Sequence, residues 1–485
     1  MRYAAAGTYR DTAARMDSDR RGRDTVARRA WHRLLVMVLG AGLAAAGTAG
    51  WLLWLGPRFD AAGISINPRA RVDPARRYEV VVWEEEIAAP WARESQQEVL
   101  AGAIEAFRQR WPNVDIVVHV IDAGEGRARL TEAVAAGRPP DIYGTVRGMV
   151  YHPSHQIPAG PYLPAAAEGE PPVFHPAAER RFTREGVVWG WPRALWWETW
   201  VADGTALDRV GVPVDRVLAA GWAWDEVEAF VERAKSWMET PLLLEPGVAA
   251  LEHLLLNAAG EGLRHGTNAK TPTAQEAPYV SPWDETSVRR VAAFLKNLQQ
   301  AGTFRGDAAG ASRTRLEGLF TGRAAVIGPV GPQLALVALR RDPERFTLFP
   351  VPHHPDAAPV APMEPGGYFV FRQEPYQGDD HTRLAMELAG WLAARTESWL
   401  SEALGLVPAR TGSFHAWQSA APLNAASQAL LAAYLTLAPA GGLLPPEERD
   451  ALAGRLAPHW QVLWSSSSLP ETWAEEVWRV LEGSP

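Results

Sequence analysis

Residues 78–83 read Tyr-Glu-Val-Val-Val-Trp, and the polar run Glu84-Glu85-Glu86 follows them directly. A short β-branched run that ends in polar residues predicts a buried strand followed by a loop. Between residues 91 and 111, apolar side chains recur every three or four positions, which predicts an amphipathic helix. This order of strand, loop and helix decides the fold class, because the chain repeats it further along.

The next part of the chain continues the alternation. Residues 114–121 predict a second strand, residues 127–136 a second helix and residues 141–146 a third strand. Strands that alternate with helices pair in parallel through right-handed crossovers, and ligands bind beyond the carboxyl ends of such strands. The segments expected there are Trp83–Glu86, Asp122–Glu125 and Thr145–Gly148.

From about residue 195 the chain is predicted to be mainly helical, with a few further strands. Helical spacing occurs at residues 224–238, 249–259, 285–301, 313–321, 383–394, 424–437 and 470–482. Short β-rich runs occur at residues 324–327, 346–351 and 368–371, and the last of them follows a proline-rich loop and the pair Gly366-Gly367. Taken together, these patterns predict an α/β protein.

The N-terminus differs in composition from the rest of the chain. Residues 1–33 hold nine Arg, whereas residues 34–55 hold no charged side chain. A helix of that length reaches roughly 33 Å and can cross a hydrocarbon core of about 30 Å. The positive-inside bias places residues 1–33 in the cytoplasm and the chain after residue 55 outside. Residues 56–77, which contain Pro57, Pro68 and Pro74, are interpreted as a linker.

A cleaved signal peptide is the alternative interpretation of residues 34–55. The small residues Ala44–Ala46 offer a site for a signal peptidase. The apolar stretch continues beyond them to Leu55, which favours a retained anchor. We therefore expect the protein at the extracytoplasmic face of the cell membrane, anchored by an N-terminal transmembrane helix.

Composition excludes several functional classes. After residue 55 the chain holds 39 basic and 52 acidic residues, a formal charge of −13, which argues against a broad nucleic-acid-binding surface. The absence of cysteine excludes disulfides, thiolate metal sites, a thiol nucleophile and the lipid-bearing cysteine of a lipoprotein.

A series of ordered motifs covers nearly all of residues 78–485. In chain order they are Val80–Trp83, Trp111–Val114, Ala136–Tyr143, Glu185–Pro192, Ala194–Trp197, Gly211–Pro213, Ala223–Glu226, Leu319–Val326, Gly366–Tyr368 and Gly405–Arg410. In this order the chain resembles the extracellular solute-binding proteins of the sugar-type ABC-transporter class.

The resemblance implies a two-lobed periplasmic-binding-protein fold of the Venus-flytrap type, with lobe 1 formed by residues 78–194 and 368–410. Lobe 2 would be formed by residues 195–367 and 411–485, with crossings near Ala194–Trp197 and Gly366–Tyr368. It also implies a monomeric binding protein without catalysis or cofactor. Such a protein captures a small solute, expected to be a sugar or oligosaccharide, and delivers it to an ABC permease.

Three departures from the family's pattern stand out. Glu198 follows the aromatic pair Trp196-Trp197, where the family usually carries asparagine. Val330 stands where a stacking aromatic is common, which leaves saccharide specificity open. The lipoprotein cysteine is absent, so a retained N-terminal helix would replace the lipid as tether.

The candidate site residues combine aromatic and charged side chains, since indole faces stack on sugar C–H groups while carboxylates and Arg bind hydroxyls. Each Trp could instead be a core residue, one or more of Glu84–Glu86 could be solvated, and each Arg could form a structural salt bridge. Asp141 begins a strand and is interpreted as structural. The candidates are Trp83, Glu84, Glu85, Thr145, Arg147, Trp191, Arg193, Trp196, Trp197, Gly367, Tyr368 and Arg410.

Three alternative functions remain open. A glycoside hydrolase would also use aromatics and paired carboxylates, but the sequence lacks an eightfold strand-helix series, a nucleophile elbow and a zinc helix. Metal capture by His152 with His155, or by His353 with His354, lacks a third ligand at plausible spacing. A tethered sensor that presents its ligand-bound form to a membrane receptor would have the same sequence features as a transport protein.

Overall fold

The computed structural model describes residues 58–59, 64–90, 92–165, 173–184, 186–238, 240–244, 248–258, 284–301, 312–420, 423–437, 446–465 and 469–482. The chain divides into two units, residues 1–70 and residues 71–485. In the first unit, strand β1 (Arg58–Phe59) pairs antiparallel with β2 (Ser65–Ile66). The predicted tail at residues 1–33 and the predicted anchor at residues 34–55 lie outside the described residues.

In the part of the chain that the structure describes, no helix has both the length and the apolar character that a membrane span requires.

The strands of the second unit have the following bounds. They are β3 (Tyr78–Glu85), β4 (Val114–Ile121), β5 (Ile142–Thr145), β6 (Gln156–Ile157), β7 (Thr183–Arg184), β8 (Val187–Val188), β9 (Trp191–Trp197), β10 (Thr199–Asp203), β11 (Leu242–Leu244), β12 (Val326–Val330), β13 (Phe346–Phe349), β14 (Met363–Phe371) and β15 (Val407–Pro408).

The helices alternate with these strands in the first part and dominate the second. They are α1 (Gln96–Arg110), α2 (Ala123–Ala135), α3 (Pro176–Phe182), α4 (Gly204–Arg209), α5 (Val214–Ala220), α6 (Trp224–Ala234), α7 (Val248–Leu256), α8 (Glu285–Gln300), α9 (Ser312–Phe320), α10 (Pro332–Arg341), α11 (Asp379–Leu404), α12 (Thr411–Ala420), α13 (Ala425–Leu437), α14 (Pro446–Ser465) and α15 (Trp473–Glu482), with a 3₁₀ helix at Gly160–Ala165.

The larger sheet has the order β15-β9-β14-β5-β3-β4, with β6 beside β14. Strand β3 runs parallel to both β4 and β5, as the alternation of strands and helices predicts. Strands β9 and β14 run antiparallel to each other, and β14 runs antiparallel to β5. The carboxyl ends of β3 and β5 therefore lie at one edge, beside the start of β14 and the end of β9.

The smaller sheet has the order β11-β12-β10-β13. The sheet and the surrounding helices share one core, which contains large aromatic side chains. Each of these side chains buries much apolar area. Trp222 meets Phe349 edge to face at a centroid distance of 4.9 Å, and Trp224 stacks on Phe294 at 4.6 Å. Each sheet thus has its own core, which is the arrangement expected of two lobes.

The chain changes sheets at Glu198, because β9 ends at Trp197 in the larger sheet and β10 begins at Thr199 in the smaller one. It returns between β13 and β14, over residues 350–362. It reaches the smaller sheet again with α13, where the Ser427 hydroxyl accepts a hydrogen bond of 3.0 Å from the Leu348 N–H. The sheet to which each strand belongs locates these three connections. The exact limits of the lobes stay a prediction.

The glycine pair Gly366-Gly367 lies within β14 and not at a change of sheet, in contrast to the expectation for Gly366–Tyr368. A side chain at Gly366 would meet the Val146 backbone carbonyl carbon at 2.6 Å, and one at Gly367 would collide with the Trp191 carbonyl oxygen. Close strand packing therefore explains the two glycines.

The first helix has a complete N-terminal cap. The Ser95 hydroxyl accepts a hydrogen bond from the Glu98 N–H at 3.2 Å, and the Glu98 carboxylate accepts one from the Ser95 N–H at 2.7 Å. This reciprocal pair satisfies two backbone donors that the helix itself cannot use. It fixes where the loop that follows β3 ends.

Helix α11 begins beside the amino end of β3 and ends at the opposite edge of the larger sheet. Its second residue, Asp380, accepts hydrogen bonds of 2.8 Å from the Arg76 guanidinium and from the Tyr78 hydroxyl. Its last turn leads to Gly405, which adopts a left-handed backbone with a φ of 73°. At this position glycine is favoured because a Cβ would strain the backbone.

Two glycine substitutions should have opposite effects on stability. We expect Gly102→Ala, at an exposed position inside α1 where a Cβ meets nothing within 4 Å, to stabilise the fold by about 0.5–1 kcal/mol. We expect Gly405→Ala to destabilise it by more than about 1 kcal/mol, because of its left-handed φ and a clash with Leu336. Denaturant midpoints of the two variants and the parent chain measure both effects. Equal midpoints for the two variants would contradict this account of helix α11.

Candidate functional site

Three of the predicted site residues form a closed network inside the larger sheet. The Arg193 guanidinium donates to Glu84 Oε1 at 2.7 Å and to the Tyr368 hydroxyl at 2.8 Å, and it lies 4.5 Å from the Tyr368 ring centroid. None of the three side chains is more than 1% exposed. Burial opposes the charged form of Arg193, but Glu84, Tyr368 and Glu85 together outweigh it and raise the pKa of Arg193. In this arrangement the network balances its own charges and does not reach solvent.

Glu85 belongs to a second buried network at the same edge. Its carboxylate accepts hydrogen bonds from the Tyr143 hydroxyl at 2.6 Å and from the Thr145 hydroxyl, and it lies 3.9 Å from Arg127 Nε. Burial raises the pKa of Glu85, against the opposing effect of Arg127. Arg127 also donates to the carbonyl of Gly148 at 3.1 Å, so this group fixes the loop after β5.

Asp122, at the same edge, caps the helix that follows β4. Asp122 was expected beyond the end of β4, and it is the N-cap of α2, where its carboxylate accepts from the N–H groups of Gly124 and Glu125 at 2.8 and 3.1 Å. Its role in this structure is therefore local, and it starts α2 four residues before the predicted position.

Two predicted tryptophans and one glycine are core residues of the larger sheet. Trp191 is 2% exposed and its indole N–H points at the Met386 sulfur, 3.4 Å away. Trp197 is completely buried and donates to the Gly405 carbonyl at 2.9 Å. Gly367 lies in the neighbouring strand β14, where it pairs with Pro192 of β9. Trp83 is partly buried and packs on the cluster around Tyr143 on the opposite face.

Arg147 and Trp196 differ from these residues because both are partly exposed. Arg147 Nη2 lies 2.7 Å from Glu198 Oε1, and Arg147 Nε donates to Glu364 Oε1 at 2.8 Å. The same guanidinium lies 5.2 Å from the Trp196 ring centroid, and the Trp196 N–H donates to Glu198 Oε1 at 3.2 Å.

A residue attached to the smaller sheet completes this group. His253, in α7, has its Nε2 2.8 Å from Glu198 Oε2. Sequence reasoning recognised Glu198 only as a departure from the family's pattern and missed Glu364 and His253. The only sequence signal for either residue is a polar side chain within a mostly apolar run, Glu364 in β14 and His253 in α7.

The position of the missing aromatic is also explained by Trp196. Val330 is 2% exposed and pairs with Thr199 in the smaller sheet. A Cβ on the next residue, Gly331, would lie 2.9 Å from the Trp196 ring. An aromatic ring from β9 thus stands against the turn where the resemblance led us to expect one from β12.

Arg410, the last predicted site residue, is held by its backbone. Its N–H donates to Glu397 Oε1 at 2.8 Å, and the residue forms an isolated bridge with Phe174. Burial lowers the pKa of Arg410 although Glu397 opposes the shift, and its buried Nε has no hydrogen-bond partner among the described residues. The Glu397 contacts support the interpretation that Arg410 holds its loop.

A pocket of about 910 Å³ opens beside these residues, between the end of α11 and helix α10. One wall comes from α10, which follows β12 of the smaller sheet, and the other from elements packed on the larger sheet. The lining residues are Ala92, Arg93, Glu94, Leu336, Arg340, Ser398, Trp399, Ser401, Glu402, Ala403, Pro408, Ser413, Ala416 and Trp417. None of them is a predicted site residue.

The pocket combines an apolar base with a charged rim. Trp399 and Ala403 belong to an apolar cluster against which Ala92 and Trp196 pack, so the pocket is connected with the Arg147 group through Trp196. Arg93, Glu94, Arg340 and Glu402 are exposed around it. Its volume lies within the range of about 300–1,000 Å³ that is typical of small-molecule sites.

Metal chemistry finds no support in the part of the chain that the structure describes, where no group of three or more His, Asp or Glu side chains is placed to hold an ion. His155 Nε2 lies 3.8 Å from a Glu374 carboxylate oxygen, and the His353 and His354 rings are engaged locally. Neither histidine pair extends to a third ligand within these described residues.

A second buried guanidinium contrasts with Arg193. Arg181 is 6% exposed and donates to the carbonyls of Ala177 and Met363 at 2.8 and 3.2 Å, while its Nη2 has no hydrogen-bond partner among the described residues. Burial and the neighbouring Arg180 lower the pKa of Arg181 to about 10. Within the described part of the chain, carbonyl groups are thus the only hydrogen-bond acceptors of this charge.

The two arginines should respond differently to replacement by methionine. We expect Arg193→Met to destabilise the fold by about 3–5 kcal/mol, since it leaves the Glu84 carboxylate buried without its partner. We expect Arg181→Met to change the free energy of unfolding by less than about 1 kcal/mol or to raise it, because no carboxylate is orphaned. Urea unfolding of both variants measures this, and an Arg181 variant as unstable as the Arg193 variant would contradict it.

Comparison with known proteins gives matches in structure but not in sequence. No protein-family model matches the chain, and no curated protein matches it. Among solved structures, the GacH receptor of Streptomyces glaucescens, also solved with acarbose, is similar with a TM-score of 0.57 and 18% identity, over 84% of this chain and 100% of that one.

Two further structures show the same similarity. A chitin oligosaccharide binding protein has a TM-score of 0.60 and 17% identity, over 84% of this chain and 99% of that one. A family 1 extracellular solute-binding protein from Alicyclobacillus acidocaldarius has a TM-score of 0.56 and 15% identity, over 85% of this chain and 98% of that one. The resemblance expected from the sequence is confirmed at the level of the fold. The chain has the two-lobed α/β fold of the extracellular solute-binding proteins.

Proposed function

We propose that the chain is an extracytoplasmic solute-binding protein that captures a carbohydrate between its lobes and delivers it to an ABC permease. The observation that carries this proposal is the pocket whose walls come from α10 on one side and from α11, α12 and the loop before α1 on the other. A ligand in this pocket contacts elements of both sheets. It therefore favours the conformation in which the two walls are close together.

The chemistry of the pocket supports a carbohydrate. Trp399 and Trp417 can present apolar faces to the C–H side of a sugar ring. The rim carries two positive and two negative side chains, which supply donors and acceptors for sugar hydroxyl groups. They are Arg93, Arg340, Glu94 and Glu402. The structural neighbours include proteins described as bound to an oligosaccharide such as cycloalternan or maltose.

The predicted site residues enter this proposal in two roles. Arg147 and Trp196 are partly exposed beside the pocket, and we assign them to ligand contact. The other predicted residues support these two by holding the strand ends and loops behind them. They are Trp83, Glu84, Glu85, Thr145, Trp191, Arg193, Trp197, Gly367, Tyr368 and Arg410.

Binding without chemical change is favoured over hydrolysis. A glycoside hydrolase needs two carboxyl groups that face the substrate. The carboxylates that the sequence offered for this role do not meet the requirement, because Glu84 pairs with Arg193 and Glu85 with Tyr143 and Thr145, and both are almost completely buried. The similar structures reported above are also binding proteins.

We further propose that residues 34–55 anchor the protein in the membrane, with the second unit outside the cell and residues 56–77 as the tether. The uncharged length of the segment and the preceding Arg cluster support this arrangement. The absence of cysteine supports it as well, since no lipid anchor can be attached through a thiol.

Ligand binding should be visible in thermal unfolding. We expect one or more members of a panel of mono- and oligosaccharides to raise the melting temperature, because a ligand at 100 times its Kd adds about 2.7 kcal/mol to the stability of the native state. Trp417→Ala should weaken binding of that sugar by roughly 30-fold, since loss of an aromatic anchor costs about 2 kcal/mol.

Trp237→Ala is the matched control for this experiment. Trp237 is also partly buried, but it packs under Arg209 beside the smaller sheet, away from the pocket. The Trp237 variant should bind with parental affinity. A panel without any shift, equal losses in both variants, or turnover of a chromogenic glycoside would each contradict the proposal.

The topology has its own test. Protease added to intact cells, with the outer face accessible, should cut the chain within residues 78–485. If these residues survive while a known surface protein is cut, the proposed anchor orientation is wrong.

A further inference from the structure

The contacts of Glu198 extend from one sheet to the other. Arg147 follows β5 of the larger sheet and lies 2.7 Å from Glu198 Oε1. His253 belongs to α7, which packs beside β12 of the smaller sheet, and lies 2.8 Å from Glu198 Oε2. Glu198 itself is the one residue between β9 and β10. The two oxygens of one carboxylate thus contact partners associated with different lobes.

We infer that Glu198 is a positioning residue that couples the two lobes, holding them in the arrangement in which Arg147 and His253 both reach its carboxylate. Only the consequence for ligand affinity rests on the proposed function. The coupling itself concerns the protein without ligand.

The surroundings of Glu198 make this contact selective for one lobe arrangement. The Glu198 side chain is 9% exposed and that of His253 only 3%, so the contact is largely shielded from water in this lobe arrangement. Removing one partner of a buried polar contact is costly, because the other is left desolvated without a partner. Arg147 is less dependent on Glu198, since it also donates to Glu364 at 2.8 Å.

The backbone of Glu198 adds a second constraint. Its N–H donates to the Pro362 carbonyl at 3.1 Å, and Pro362 immediately precedes β14 on the returning connection. The outgoing and returning connections are therefore tied together at this residue. A rotation of the lobes that lengthens the His253 contact has to act against both interactions.

The coupling also reaches the pocket. The Trp196 N–H donates to Glu198 Oε1 at 3.2 Å, and the Trp196 ring packs on the apolar cluster that contains Trp399 and Ala403 of the pocket. Loss of the Glu198 carboxylate should therefore release both the lobe arrangement and the Trp196 ring beside the pocket. Ligand affinity would fall in consequence.

Distance measurement by fluorescence energy transfer tests the coupling in the protein without ligand. The chain has no cysteine, so Glu105→Cys on α1 and Arg233→Cys on α6, both exposed positions, allow specific labelling of the two lobes. We expect Glu198→Gln to shift the interlobe distance to longer values and to broaden its distribution. His253→Leu, which leaves the contacts of Arg147 in place, should give the same shift.

Asp203→Asn is the matched control. Asp203 is also a buried carboxylate, and it pairs with Arg345 at 2.7 Å, but both residues belong to the smaller sheet or its adjoining turn. It should lower stability without changing the distance. An unchanged distance in the Glu198 and His253 variants, or an equal shift in the Asp203 variant, overturns the inference.

The double variant Glu198→Gln with His253→Leu separates coupling from independent damage. Its distance shift should be no larger than the larger of the two single shifts, because both changes remove the contact between Glu198 and His253. Additive shifts overturn the inference. These results are independent of any sugar, so a failure of the sugar panel would reject the proposed function and leave the lobe coupling standing.

Discussion

The structure depends on a connection of one residue. Between Trp197 and Thr199 the chain leaves one sheet and enters another, and both neighbours are completely buried in strands. So short a link leaves little freedom for the relative placement of the sheets, because each backbone step spans only about 3.3–3.6 Å. The residue in this link, Glu198, has a buried carboxylate that Arg147 and His253 contact from the two sheets. These contacts restrict the relative placement of the sheets further than the short link alone.

Buried charge is distributed along the edge of the larger sheet in compensated groups. Glu84 with Arg193, and Glu85 with Arg127, are separate pairs, each completed by tyrosine hydroxyls. Isolated buried charges would be costly, whereas paired and hydrogen-bonded ones are tolerated. The edge can therefore carry many ionisable side chains and still pack as a core. Accessible charges near this edge include those of Glu86, of Arg147 and of the pocket rim.

Local patterns in the sequence predict much of the fold. The second strand has the predicted bounds, Val114–Ile121, and helix α8 ends one residue before its predicted end. Strands β9 and β10 were not predicted, because both are buried on their two faces and so lack alternation, and Pro192 argues against a strand. Helix α14 was missed for a related reason, since Pro458 interrupts its pattern.

The site was harder to predict than the fold. The strand-end rule predicts that the residues after β3 and β5 lie at one edge, and the sheet pairing brings these strand ends together. The rule cannot show which side chains there pair with each other, because partners such as Glu84 and Arg193 are 109 residues apart. The pocket includes the loop before α1, which follows β3, but most of its lining comes from the end of α11, from α12 and from α10, none of which follows a parallel strand of the larger sheet. Only the packing of the helices brings their side chains together.

Helix α11 has a mechanical consequence. It is 26 residues long, which corresponds to about 39 Å, and it spans the larger sheet from Arg76 and Tyr78 to the wall of the pocket. The bidentate contact of Asp380 with Arg76 holds the chain where the proposed linker ends. Tension on the proposed linker would thus act on the first turn of helix α11, whose last turns line the pocket.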